Sequence, residues 1–74
     1  MKSIVIYSWV EGFKKVSFTK WQVEVLGISL SHAKSNTDAI LDGIEVIIEI
    51  EDAFLLEQFV SRLNDIGVVY RVNN

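Results

Sequence analysis

His32 is the only histidine in the chain, and its side chain could act as a general base or bind a metal ion. Ser29 and Ser31 are close to it in sequence, and a histidine beside a serine is the pairing that an activated hydroxyl nucleophile needs. Both serines, however, are better interpreted as residues that cap a helix, and no carboxylate at a recognisable spacing completes a catalytic triad. We therefore interpret His32 as a surface histidine and assign no catalytic residue.

Four acidic residues fall close together, at Glu45, Glu49, Glu51 and Asp52. Carboxylates are the usual ligands of hard cations such as Ca²⁺ and Mg²⁺. Glu45 and Glu49, however, are four residues apart on a predicted strand, which separates them by roughly 13 Å, too far to share one ion. The spacing therefore predicts a solvated strand face and no metal site.

Lys14, Lys15 and Lys20 form the only basic cluster, and Trp21 follows it directly. A nucleic-acid surface would carry more positive charge than this, and the formal net charge of the chain is −3. The chain has no cysteine and no glycine-rich phosphate loop. These features imply no cofactor and no nucleic-acid partner.

The chain has 74 residues, half of them hydrophobic, which is enough for one domain over 1–74. It shows no signal-peptide pattern, and its apolar runs are too short or too interrupted by glutamate to enter a membrane. Together with the lack of cysteine, these features lead us to expect a cytoplasmic protein with no membrane partner.

Hydrophobic spacing and the positions of the glycines predict six elements that position these residues. In chain order they are a strand over 2–9, a helix over 13–26, a helix between Ser29 and Gly43, a strand over 44–50, a helix from its cap Asp52 to Ile66, and a strand over 68–72. The side chains expected to face the core from the first and third helices are Phe18, Trp21 and Val25, then Leu56, Phe59, Leu63 and Ile66.

The resulting order, β-α-α-β-α-β, predicts an α+β fold of two layers, with helices on one face of a three-stranded, mainly antiparallel sheet. The strand–helix–strand crossover at the end of the chain should make the last two strands parallel. If the first strand lies between them, both of its neighbours run antiparallel to it.

The run from Lys15 to Lys34 resembles the C-terminal domain of the bacterial ribosomal stalk protein. That family reads Lys-Val-x-x-Ile-Lys-x-x-Arg, then Gly-Leu-Gly-Leu-x-Glu-Ala-Lys. The residues that match without a gap are Lys15-Val16, Lys20 and Ala33-Lys34. The run Gly27-Ile28-Ser29-Leu30 is a close match in which Ser29 replaces the second glycine. The resemblance implies the same α+β fold, which is also found in the substrate-recognition adaptor of the Clp protease, although the peptide-pocket residues of that adaptor are not found here.

In the stalk family, the outer face of the first helix and the start of the second dock translation GTPases. The resemblance therefore implies a protein-binding face here at Lys15, Thr19, Lys20, Val23 and Lys34. Val23 stands where the family has arginine, so a planar, bidentate donor is lost. The chain also lacks the dimerisation segment and hinge of the stalk protein, so we expect a free-standing domain of that shape.

The chain has more apolar residues than one side of each element can bury. The sheet face away from the helices is expected to expose Tyr7, Trp9 and Ile47. Hiding about 400 Å² of apolar surface is worth roughly 10 kcal/mol before the costs of association. The pattern predicts a homo-oligomer that self-associates through these three residues.

The sequence thus favours a non-catalytic protein–protein interaction module that binds a protein partner or itself. The alternative is a small enzyme or ligand-binding subunit whose site is completed at a dimer interface. An enclosed polar pocket around His32 or the acidic residues would favour the alternative, whereas an open apolar surface would favour the interaction module.

Overall fold

A computed structural model describes residues 2–73, and it confirms the predicted α+β fold and order of elements. Met1 and Asn74 lie outside the described residues. The elements are β1 (Lys2–Trp9), α1 (Lys15–Leu26), α2 (Leu30–Leu41), β2 (Val46–Ile50), α3 (Ala53–Ile66) and β3 (Val68–Asn73).

β1 lies in the centre of the sheet, in the order β2-β1-β3, and both neighbours run antiparallel to it. β2 and β3 are therefore parallel to each other, as the crossover through α3 predicts. The central position explains why β1 is apolar on both faces. Ile4 and Ile6 are buried toward the helices, and Val5, on the other face, is buried as well.

A β-bulge interrupts the pairing of β1 with β3. Ile6 pairs with Tyr70 and Ser8 pairs with Val69, so β1 has one residue more than β3 between these pairs. Tyr7 is this extra residue. An extra residue in one strand reverses the alternation of side chains beyond it.

Trp9 consequently lies on the helix side of the sheet, which corrects the expectation that it shares the uncovered face with Tyr7 and Ile47. It pairs with Val68, which packs against the core, and its ring centroid is 6.2 Å from that of Phe13. The prediction assumed that side chains alternate between the two faces along the whole of β1. It placed Trp9 on the wrong face because the bulge at Tyr7 reverses that alternation.

β2 begins two residues later than predicted, because Ile44 takes part in the hydrogen bonds that close the end of α2. Gly43 adopts a positive φ of 79°, and its N–H donates to the Ile40 carbonyl at 3.0 Å. The Ile44 N–H donates to the Ala39 carbonyl at 2.8 Å, which completes a Schellman motif. Ile44, which the sequence placed at the start of this strand, is 58% exposed.

Backbone hydrogen bonds tie the start of α1 to the end of α3. The Lys14 N–H donates to the Ile66 carbonyl at 2.9 Å, and the Val10 N–H donates to the Gly67 carbonyl at 3.0 Å. The residues before α1 therefore run along the end of α3, and α1 begins at Lys15, two residues later than predicted.

The core lies between the helices and the inner face of the sheet. Phe18 and Trp21 of α1 are buried, and the Trp21 ring stacks on Phe59 with centroids 4.2 Å apart and planes 10° apart. The Arg62 guanidinium lies 6.0 Å from the centroid of the Trp21 ring. The predicted core side chains of α3 are all buried, namely Leu56, Phe59, Leu63 and Ile66.

Replacing Gly67 with alanine should destabilise the fold more than replacing Gly27 with alanine. Both glycines have positive φ, 95° and 68°, so alanine adds about 1–2 kcal/mol of backbone strain at either position. At position 67 the new Cβ would also lie 3.1 Å from the Phe13 Cα, whereas at position 27 it meets open space. Urea denaturation should give the lower free energy of unfolding for G67A; equal values would contradict the close approach.

Candidate functional site

A buried polar seam, formed by Thr19, Gln22, Ala33, Asn36 and Thr37, joins α1 to α2. Gln22 is 0% exposed. Its Nε2 donates to the Ala33 carbonyl at 3.2 Å and to the Thr37 hydroxyl at 3.3 Å, and its Oε1 accepts from Asn36 Nδ2 at 2.9 Å. Among residues 2–73, no buried side-chain polar atom lacks a hydrogen-bond partner. The seam is therefore fully satisfied, as a buried polar group must be to avoid a large desolvation cost.

The hydroxyls of Thr19 and Thr37 lie 2.7 Å apart at the solvent side of the seam. Thr19 Oγ1 is also 2.9 Å from the Lys15 carbonyl, and Thr37 Oγ1 is 3.0 Å from the Ala33 carbonyl. Each hydroxyl has one proton, so only two of these three contacts are hydrogen bonds at a time. The bond between the two threonine hydroxyls is always one of the two, because oxygens 2.7 Å apart need a proton between them. This bond adds a second link between α1 and α2.

A groove of about 440 Å³ lies between α1 and α2, directly outside the seam. Three lysines line it, together with two exposed apolar side chains. Val16 is 65% exposed and Leu30 is 57% exposed. We call it the lysine groove, and its residues are Lys15, Val16, Thr19, Lys20, Leu30, Lys34, Thr37, Asp38 and Leu41.

The lysine groove brings together four of the five residues predicted to bind a partner, namely Lys15, Thr19, Lys20 and Lys34. Val23 lies outside the groove, half-buried, one helical turn beyond Thr19. The three lysines and one aspartate give the groove a formal charge of opposite sign to that of the whole chain, which is −3. The groove therefore offers apolar contact surface surrounded by positive charge.

A second groove, also of about 440 Å³, lies along the free edge of β2. Its lining includes His32 and three of the four clustered acidic residues, namely Glu49, Glu51 and Asp52. We call it the β2-edge groove; it is lined by residues 47–52 together with Leu26, Ile28, His32, Asn36 and Leu55. The backbone N–H of His32 donates to Ser29 Oγ at 3.1 Å, which confirms Ser29 as the cap of α2. The groove is open to solvent and mainly apolar, so it is not the enclosed polar pocket that would favour an enzyme.

Within residues 2–73, no three histidine, cysteine, aspartate or glutamate side chains are close enough to hold a metal ion. None of the helices in this part of the chain has the length and apolar character needed to cross a membrane. The structure thus offers surfaces for contact and, in its described part, no arrangement of ligands for a metal cofactor.

The sheet face away from the helices is the third exposed surface. Tyr7 and Ile47 lie on it, and Ile47 is 60% exposed. The Arg71 guanidinium lies 5.6 Å from the centroid of the Tyr7 ring, a cation–π distance. Of the three residues predicted for self-association, Tyr7 and Ile47 share this face and Trp9 does not.

Sequence reasoning did not identify Gln22 and Asn36 as structural residues. Gln22 lies one turn after Phe18, within the apolar stripe of α1, and a polar residue in such a stripe is the signal that could have found it. It also did not assign Val16 and Leu30 to the partner-binding face, although both fall inside the run that resembles the stalk domain.

Comparison with known protein families and with curated proteins finds no match for this chain. The resemblance of residues 15–34 to the ribosomal stalk domain therefore stays a prediction. What the grooves bind has to follow from their own shape and charge.

Replacing Gln22 with leucine should lower the stability of the fold, because leucine has a comparable size but cannot bond to Ala33, Asn36 or Thr37. Leaving a buried polar group without its partner costs about 1–3 kcal/mol. For a domain of this size, each kcal/mol lowers the melting temperature by roughly 4–8 °C. The matched control is Gln58→Leu, at an exposed glutamine of α3. Calorimetry that finds Q22L as stable as Q58L would contradict a structural role for the seam.

Proposed function

We propose that this domain is a non-catalytic protein-interaction module and that the lysine groove binds an acidic, amphipathic helix of a partner protein. The observation that carries the proposal is the combination of exposed Val16 and Leu30 with three surrounding lysines. An apolar centre with a charged rim is the usual anatomy of a protein interface.

The shape of the lysine groove supports a helical partner. α1 and α2 are each 12 residues long, about 18 Å, which matches roughly three turns of a bound helix. Amphipathic helices commonly bind by placing an apolar face into such a groove. Glutamate or aspartate beside that face would meet Lys15, Lys20 and Lys34, which favours rapid and selective association. The resemblance to the stalk family also implies a protein-binding surface on these two helices.

The exposure of the charged groups supports binding over catalysis. Lys15, Lys20, Lys34 and Asp38 are all exposed. A catalytic lysine is normally desolvated so that its neutral form is available, and none of these lysines is buried.

Reversing two charges of the lysine groove should weaken the binding of an acidic helix. The probe is a synthetic helical peptide with leucine on one face and glutamate on the other. The Lys20→Glu, Lys34→Glu double variant should lower its affinity about tenfold or more, because two attractions become repulsions. Isothermal titration calorimetry at low and high salt would measure this loss.

Two controls accompany this experiment. Lys14→Glu makes the same change at an exposed lysine outside the groove, and it should leave the affinity nearly unchanged. A peptide with lysine in place of glutamate should bind much more weakly. Equal binding of the two peptides, or an unaffected double variant, would show that the lysine groove is not the site.

The uncovered sheet face supports self-association as a second function of the module. A three-stranded sheet with helices on one side leaves Tyr7 and Ile47 exposed on the other. Large side chains on such a face gain apolar burial when two copies pack face to face. Trp9 is turned toward the helices and would not take part in this contact.

Ile47→Lys should convert a dimer of this chain into a folded monomer. Ile47 is already largely exposed, so the change costs little stability in the monomer but places two lysines in the dimer contact. Trp9→Lys should leave the dimer intact. Light scattering at high protein concentration would measure the molar mass of each variant and of the unmutated protein. A monomeric unmutated protein would exclude self-association.

A further inference from the structure

The free edge of β2 offers backbone hydrogen-bonding groups to an added strand. Within residues 2–73, β2 pairs with β1 on one side and with no strand on the other. In an antiparallel pair, every second residue directs its N–H and C=O away from the partner strand. Along the five residues of β2, these groups can pair with an added strand.

The β2-edge groove lies directly along this edge. Its lining includes residues 47–50 of β2, which alternate between the two faces of the sheet, and continues through Glu51 and Asp52 after the strand, so the groove follows the backbone itself. The opposite wall is formed by Ile28 in the corner and by His32 and Asn36 of α2. A strand placed beside β2 at the usual spacing of about 4.8 Å would therefore have the helix layer along one side.

The two sides of such a strand would meet different chemistry. Side chains that point toward the helices would enter the groove beside Leu26, Ile28 and Leu55, where apolar groups are favoured. Side chains that point the other way would lie beside Ile47 and Glu49 of β2, with Glu51 directly after the strand, and all three of these residues are exposed. Opposite charges on neighbouring strands stabilise the pairing.

We propose that the free edge of β2 binds an extended segment of a partner protein, with alternating apolar and basic side chains, as a fourth strand of the sheet. The charge at this edge selects that occupant. In a second copy of β2 paired antiparallel over residues 46–50, Ile47 would lie opposite Glu49 and the two Glu49 side chains would be diagonal neighbours, so that contact would bring together like charges and no opposite ones. This site shares no lining residue with the lysine groove and takes a partner of the opposite charge.

The test uses a synthetic peptide of alternating valine and lysine with blocked ends. Titration calorimetry should show binding to the unmutated protein, and amide chemical-shift changes should fall on residues 46–52 and on the corner before α2. The Glu49→Lys, Glu51→Lys double variant should lower the affinity about tenfold or more. Both positions are exposed, so the variant should keep its fold by circular dichroism.

The controls separate strand addition from other kinds of contact. Glu24→Lys, at an exposed glutamate of α1 outside both grooves, should bind the peptide as the unmutated protein does. Lys20→Glu, Lys34→Glu should also leave this binding unchanged, so the two sites succeed or fail independently. A peptide with proline at its centre should lose affinity, because proline cannot donate to a strand.

Three results would overturn the proposal. The first is full affinity for the proline peptide, which would mean that no strand is added. The second is unchanged affinity of the Glu49→Lys, Glu51→Lys variant, or amide chemical-shift changes that fall only on residues of the lysine groove. The third is light scattering that shows open-ended assemblies of the unmutated protein that the Glu49→Lys, Glu51→Lys variant does not form, which would make a second copy the occupant of the edge.

Discussion

The hydrogen bonds of Gln22 hold α1 against α2 and thereby set the shape of both helix-lined grooves. Apolar side chains alone would let the two helices slide or rotate, whereas an amide with three bonding partners fixes one arrangement. Thr19 and Thr37 belong both to this seam and to the lysine groove. Asn36 belongs both to the seam and to the β2-edge groove. The fully buried Gln22 amide and its partially buried partners therefore position two exposed surfaces.

The topology explains why so small a domain has several exposed surfaces. In the part of the chain that the structure describes, a three-stranded sheet with helices on one side leaves one face uncovered and two strand edges unpaired. The short helix layer adds a groove where α1 meets α2. The charges differ between these surfaces, with lysines around the groove and glutamates along β2, so each favours a different class of partner.

The sequence predicts the elements of this fold well because their ends depend on local signals. Ser29, Asp52 and Gly67 act within a few residues of where they stand. Two of the features that the sequence did not reveal have non-local causes. Trp9 changes face because of a bulge set by the pairing with β3, and Gln22 is buried by partners 11 to 15 residues away on α2. The resemblance to the stalk domain predicted the lysines of the groove. Its apolar surface depends on how α1 packs beside α2, which the sequence did not reveal.

Binding at the two grooves can be coupled only through elements that both of them touch, and the seam is the most direct of these. Coupling needs an element with two arrangements whose balance each partner can shift. Because every buried side-chain polar atom in residues 2–73 is already paired, a rearranged seam would have to break hydrogen bonds without forming equivalent ones. A fully hydrogen-bonded contact of this kind therefore carries little coupling between partners bound at the two grooves. The same property that makes the seam a good scaffold thus favours independent binding at the two grooves.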